Sequence, residues 1–370
     1  MKNILIMNAV PTNNGDAALV FSIYDKFKEK GNNVTIETYD YERVVELYSD
    51  RKFIKSLLDN KYVRKLKVIN LMLIPLLLFL KYNTYKKFDT IVGAPGGYIN
   101  SYYGFFYKLY LMWLIKLIFE AKMIMYSQSV GPLNSKDKFL LKIFINKFDV
   151  FMVRDEVSFN NVKELGAKNI IKTNDAAFNL NIINAKEHKE KRVAVSVRDW
   201  KHDNRNNEKY EILIKTIVEE FINDGYKVEF ISTCQGLTKY VDDSVTAAKI
   251  YSLLDEKIKD KVCVNSQYYS LMDLREYLTK FDCVVGTRLH MCILSIMSSV
   301  PAFNISYEMK GKECYRYLGL SEYSVDYNED NQLARKKIRN FINSLIELNQ
   351  YINKISNEMH IEAQKYLDLI

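Results

Sequence analysis

The chain is poor in the residues that build metal sites and covalent scaffolds. It has five cysteines among 370 residues, Cys234, Cys263, Cys283, Cys292 and Cys314. All lie in the second half, and no two form a C-x-x-C pair. An odd number without paired spacing argues against a disulfide framework and a cysteine-based zinc site. It reads as free thiols in a reducing cytoplasm. Histidine is scarcer, with four residues and none before His188. The first half therefore cannot supply an imidazole for proton transfer. There is no H-E-x-x-H, no Cys/His quartet, no D-x-D after a strand, no nucleophile elbow, no P-loop and no G-x-G-x-x-G. What remains favours charge-clamp and acid–base chemistry, with no metal and no bound cofactor.

Long apolar runs are also missing. "LMLIPLLLFL" and "LYLMWLIKLIF" fall short of the roughly 20 apolar residues a spanning helix needs. Two readings of them stay open. They are buried helices, or residues 61–87 and 109–119 form a basic, apolar edge resting on an anionic membrane. Lys61, Arg64, Lys65, Lys67, Lys81, Lys86 and Lys87 supply that basicity. The opening "MKNILIMNAV" lacks the length and cleavage site of a signal peptide and reads as a first strand. Net charge is +8, but the basic residues are dispersed and form no arm. That disfavours nucleic acid and leaves an anionic substrate or a membrane surface.

What is present is a folded composition, 48% hydrophobic and 26% charged, on a chain longer than one core usually organises. Strand-like and helix-like segments alternate throughout. "NILIMNA" and "NVTIETYD" supply strands in the first half, "FDTIVGAPGGYI" reads as a strand and then a glycine loop, and "AKMIMYSQSVGP" as a strand and then a loop. "TNNGD" reads as a loop before the helix "AALVFSIYDKFKEKG", which Gly31 would end. Residues 185–192, "AKEHKEKR", read as a linker. A second series follows, from "RVAVSVRDW" to "PAFNIS". The expectation is α/β: two Rossmann-like domains with parallel sheets facing a cleft. The domains are residues 1–184 and 193–334, and a helical segment, 335–370, packs across both.

In open α/β sheets, ligands bind at the carboxyl ends of strands. "VVGTRLHMCIL" meets that condition. Gly286 closes a strand, Thr287 can cap the next helix, and Arg288, Leu289 and His290 would fill its first turn. Unpaired backbone N–H groups and the helix dipole favour an anion there. Arg288 adds a two-pronged donor and His290 a group that titrates near neutrality. The plainer alternative is a buried histidine bonded to a carbonyl, with Arg288 paired to an acidic neighbour. Arg198 ends the strand "VAVSV" and either faces the cleft or is a surface arginine. Lys310, after "PAFNIS", either adds charge to the site or is solvated. Asp16 disfavours phosphate at "TNNGDAALV" and suits a cap or a sugar hydroxyl. Asp242 and Asp243 in "YVDDSV" read as a helix start.

The ordered set "NNGDAAL", "VGAPGG", "YSQSVGPL", "VRDEVSF", "TNDAAF", "VSVR" and "SLMDLREYLTKFDCVVGTRLHMCILSIMSSVPAFNISYEMK" resembles the polysaccharide pyruvyl transferase family, from about residue 8 to 320. Tyr39–Lys87 carries no motif of it. The resemblance implies a GT-B-like fold and transfer of pyruvate from phosphoenolpyruvate onto two hydroxyls of a sugar. It implies donor binding by Arg288, Leu289, His290 and Arg198, to which Lys310 is added. Arg288 and His290 are the catalytic candidates, His290 as general acid/base or as a phosphate ligand only. The acceptor is expected at Asn14, Gly15, Asp16, Gly96, Gly97, Gln128 and Ser129. A lipid-linked acceptor at the cytoplasmic membrane face fits the basic edge. The competing readings are a nucleotide-sugar glycosyltransferase and an inactive membrane-associated partner in polysaccharide assembly.

Overall fold

The computed structural model describes residues 1–60, 63, 69–186, 190–200 and 203–370. Lys61, Arg64, Lys65 and Lys67 of the basic flank, and His188 of the linker, lie outside the described residues.

The alternation seen in the sequence becomes two all-parallel sheets. In the first, β1 (Asn3–Ala9), β2 (Asn33–Thr38), β3 (Phe53–Lys55), β4 (Thr90–Gly93), β5 (Gly96–Ile99), β6 (Lys122–Val130), β7 (Val150–Val153) and β8 (Ile170–Lys172) run in the order β3-β2-β1-β4-β6-β7-β8, with β5 added beside β6. The second contains β9 (Arg192–Ser196), β10 (Lys227–Phe230), β11 (Val262–Val264), β12 (Cys283–Gly286), β13 (Ala302–Ser306) and β14 (Ser324–Asp326), in the order β11-β10-β9-β12-β13-β14. Every pairing is parallel. The central strands are buried along nearly their whole length. That explains their unbroken Val, Ile and Leu in place of a period-two pattern. In each sheet the direction of winding reverses once, between β1 and β4 and between β9 and β12. Those reversals are where a doubly wound sheet opens a crevice for ligands.

The chain divides into two compact units. One comprises residues 1–12, 16–179 and 362–370, the other residues 13–15 and 180–361. The expected boundaries shift for reasons of hydrogen bonding. Ile183 N–H donates to Met297 O, Lys186 N–H to Thr279 O, and Arg275 to the carbonyls of Asn181 and Met297. Residues 180–186 therefore belong with the second unit, which begins ahead of the expected linker and takes in its first two residues. The C-terminal segment is two helices, Asn331–Asn343 and Leu345–Leu367, and its last nine residues join the first unit.

Three local readings change. The first helix starts at Asn14, so "NGD" is its first turn and not a loop. Gly96–Ile99 is a strand paired with β6, and Gly96 begins it at φ 151°, which glycine takes readily. Arg288, not Thr287, is the N-cap of the helix Leu289–Ile296. Gly31 has φ 79° just beyond the first helix, as its position as a terminator suggested.

Of the two apolar stretches, the helix Phe106–Phe119 buries Leu109, Leu111, Met112, Leu114 and Ile115 and exposes Leu117 and Ile118 near its end. The helix Asn70–Leu80 buries only Ile74 and Leu78 among its apolar side chains and exposes Leu71, Met72, Leu76, Phe79 and Leu80. Among the described residues no helix is long and apolar enough to cross a membrane.

Candidate functional site

The second unit gathers the predicted donor residues at its switch point. Arg198 follows β9, and Thr287 to His290 follow β12, the two strands on either side of the reversal. Thr287 N–H donates to Ser196 O, which holds the two strand exits together. No side-chain hydrogen bond caps the start of Leu289–Ile296. A helix start of this kind suits an anion through its N–H groups and its dipole.

Arg198 forms no salt bridge with a carboxylate among the described residues. Its guanidinium donates to the Tyr307 hydroxyl and lies 4.7 Å from the Trp200 ring centroid and 4.8 Å from that of Tyr307. Trp200 and Tyr307 pack together at 4.6 Å. The Arg198 backbone N–H donates to Tyr210, whose hydroxyl meets Thr287 Oγ1 at 2.7 Å. Tyr210 in turn stacks on Tyr327 at 4.0 Å. Aromatic faces thus fix a cation in place without neutralising it.

Arg288 is held differently. Asp243 accepts from its Nε at 2.5 Å and from a terminal nitrogen at 2.7 Å. Burial alone would lower the Arg288 pKa, but Asp243 outweighs it and holds the guanidinium above its ordinary value. Asp243 also accepts from Ser232 Oγ at 2.5 Å. It begins the helix Asp243–Ser252, capped by Asp242, so "DD" is the helix start that was expected. Its partnership with Arg288 spans 45 residues and left no local signal.

His290 sits in the first turn, partly buried, against Gly15. A Cβ placed on Gly15 would lie 2.9 Å from His290 Nδ1 and 3.2 Å from its Cβ. Leu289 and Lys310 line one narrow cavity with Thr287, Asn304, Ser306, Tyr307, Glu308 and Gly311. Lys310 carries a counter-charge there, with Glu308 2.5 Å from its Nζ.

The predicted acceptor residues fall into two sets. Asn14 and Gly15 belong to the second unit, not to the N-terminal domain where the sequence placed them. Asn14 N–H donates to Thr233 O, and its side chain donates to Tyr269 O at 3.0 Å. Asp16, Gly96, Gly97, Gln128 and Ser129 lie in the first unit. Gly96 pairs in register with Gln128. Ser129 accepts from Arg154 Nε at 2.7 Å and donates to Asp155 at 2.8 Å. Arg154 also pairs with buried Asp175 at 2.7 Å. Gly97 lies beside these groups, and a Cβ there would be 3.8 Å from both Arg154 and Ser129. Among the described residues no group of three or more His, Cys, Asp or Glu side chains is arranged to hold a metal.

A family profile described as polysaccharide pyruvyl transferase matches residues 13–309. The chain is 23% identical to the amylovoran biosynthesis protein AmsJ of Erwinia amylovora, covering 99% of this chain and 98% of that one. Similar solved structures include the spinosyn rhamnosyltransferase SpnG, with a TM-score of 0.57 and 10% identity over 100% of both chains. MurG from Acinetobacter baumannii gives 0.56 and 10% identity over 100% of this chain and 99% of that one. At these identities the likeness concerns the fold, which is that of GT-B glycosyltransferases.

Proposed function

Because the chain belongs to the polysaccharide pyruvyl transferase family, we propose that it moves pyruvate from phosphoenolpyruvate onto two hydroxyls of a sugar in a surface polysaccharide or its precursor, releasing phosphate. The observation that carries this is Arg198, a guanidinium braced by aromatic rings and without a carboxylate partner among the described residues. It stands at the switch point beside the Arg288–His290 helix start. Phosphoenolpyruvate brings a carboxylate and a phosphate, and a fixed guanidinium and a helix N-terminus suit those two groups. Arg288, already paired to Asp243, supports the site by position and field.

The chemistry closes with two protons. The methylene carbon gains one, and carbon 2 becomes electrophilic. One sugar hydroxyl oxygen bonds to carbon 2, the second displaces phosphate there, and the cyclic ketal forms. The two hydroxyl protons supply the new methyl group and the departing phosphate. His290 is the general acid/base in this scheme. The test is phosphate release and ketal formation with phosphoenolpyruvate and lipid- or nucleotide-linked sugars. His290→Ala should lose turnover and keep its melting temperature. Near-normal transfer by that variant removes the assignment.

We further propose that the protein rests on a membrane surface. Leu71, Met72, Leu76, Phe79 and Leu80 form an exposed face, with exposed Lys81, Lys86 and Lys87 following directly. An apolar face edged with lysines complements an anionic lipid surface. The protein should float with vesicles containing phosphatidylglycerol and not with neutral vesicles, and Lys81→Glu with Lys86→Glu and Lys87→Glu should abolish flotation. Self-association through this face without flotation would replace the lipid reading.

A further inference from the structure

Lys108 lies in the first turn of the helix Phe106–Phe119, within the first unit. Its ammonium group is 4.7 Å from the Tyr98 ring centroid and 5.7 Å from that of Tyr39. No carboxylate forms a salt bridge with it among the described residues. Asp16 supplies only a longer-range attraction. Burial dominates and lowers the pKa of the Lys108 amine to about 8. Burial also raises the phenols of Tyr39 and Tyr98, so neither stands in as a phenolate counter-ion.

The place matters as much as the charge. Tyr39 follows β2 directly, and Tyr98 lies on β5, the strand that carries Gly96 and Gly97. Asn8 lies near the carboxyl end of β1 in a left-handed conformation at φ 66°, with its Oδ1 3.4 Å from the Tyr39 hydroxyl. These groups surround the reversal between β1 and β4, the ligand-binding position of the first sheet. A lysine desolvated at such a point, with aromatic faces and one distant carboxylate to offset the cost, is stabilised by any anion that arrives. A lysine serving structure alone would be expected to carry a carboxylate partner or extend into solvent.

We propose that Lys108, with Asn8, Tyr39 and Tyr98, forms an anchor for an anionic group on the sugar acceptor, a carboxylate or a phosphate. The proposal rests on the reading of the first unit as the acceptor side and deepens it. The acceptor is then an acidic sugar or a sugar phosphate, oriented by its charge, while the two tyrosines offer rings to its apolar face.

The experiment uses the full chain and three probes at pH 7: methyl glucoside, the methyl glycoside of glucuronic acid, and glucose 1-phosphate. Binding is followed by ligand-observed NMR, for the wild type, Lys108→Arg and Lys108→Met. The expected result is at least tenfold tighter binding of one anionic probe than of methyl glucoside. Lys108→Arg should keep that preference and Lys108→Met should lose it. Which anionic probe wins separates a carboxylate on the sugar from a phosphate on its carrier. Equal binding of all three probes to the wild type overturns the proposal, as does no binding of any of them. A preference that survives in Lys108→Met overturns it too. Phosphoenolpyruvate binding is measured in parallel on all three proteins. Its failure would count against pyruvyl transfer while leaving the anion preference to be judged separately. The melting temperature of Lys108→Arg guards against loss of fold.

Discussion

Asp243→Asn is the most informative perturbation of the donor side. The Asp243 side chain is 2% exposed and that of Arg288 14%. The substitution keeps the size of the side chain and removes its charge. One amide oxygen can still accept, but the amide NH2 then faces a guanidinium N–H, and Ser232 loses a charged acceptor. Breaking a buried pair by neutralising one partner costs about 3–5 kcal/mol, since the other charge stays buried. The loss should fall on the second unit. Of the two tryptophans, Trp113 lies in the first unit and Trp200 in the second. In a Trp113→Phe background, Trp200 fluorescence reports urea unfolding of the second unit alone. The midpoint should drop by the equivalent of about 3 kcal/mol or more. Phosphoenolpyruvate should also stabilise the variant more than the wild type, because its anions would replace the missing carboxylate. A loss below about 0.5 kcal/mol would place the pair in the range of solvent-screened surface pairs and refute the reasoning.

Gly15→Ala should lower turnover severalfold with little change in stability. The new methyl displaces His290, while alanine favours the helix by about 1 kcal/mol, which offsets the strain. Steady-state kinetics and melting together check it. Gly286→Ala should cost about 1–3 kcal/mol, because its Cβ would meet Cys292 Sγ at 2.4 Å, and Cys292→Ala in the same chain should recover much of the loss. Thermal melts of the single and double variants decide. Lys108→Met should raise stability at pH 7 by up to roughly 3 kcal/mol, given a pKa lowered from 10.5 to about 8. The unfolded chain holds the proton more tightly, so wild-type stability rises between pH 8 and 10.5 and the gap to the variant closes there. A gap that stays flat across that range would show that burial does not burden the ammonium.

The architecture was legible because both sheets are parallel and covered. Such strands read as short apolar runs between helical patterns, and Gly286 before "TRLH" marked where one ends. The family resemblance then gave Arg198 and His290 their meaning, and both strand exits do flank one switch point. What stayed hidden depends on contacts remote in sequence. Asp243 answers Arg288 across 45 residues. Asn14 bonds to Thr233 and Tyr269, so residues 13–15, the start of a motif in the first twenty residues, belong to the second unit while the rest of that motif stays in the first. β3 and β14 have three residues each, too few for a periodic signal. Lys108 lies one residue before the apolar stretch 109–119, for which a buried helix and a membrane edge were both open, and only the neighbouring tyrosines make its burial meaningful.

The central claim is that Arg198 and the helix start after β12 hold phosphoenolpyruvate. Its most direct measurement is thermal stabilisation by phosphoenolpyruvate beside UDP- and GDP-sugars, for the wild type and for Arg198→Ala. The account predicts stabilisation of the wild type by phosphoenolpyruvate alone, abolished by Arg198→Ala. Stabilisation by a nucleotide sugar and none by phosphoenolpyruvate, or a phosphoenolpyruvate effect that survives the loss of Arg198, would contradict it.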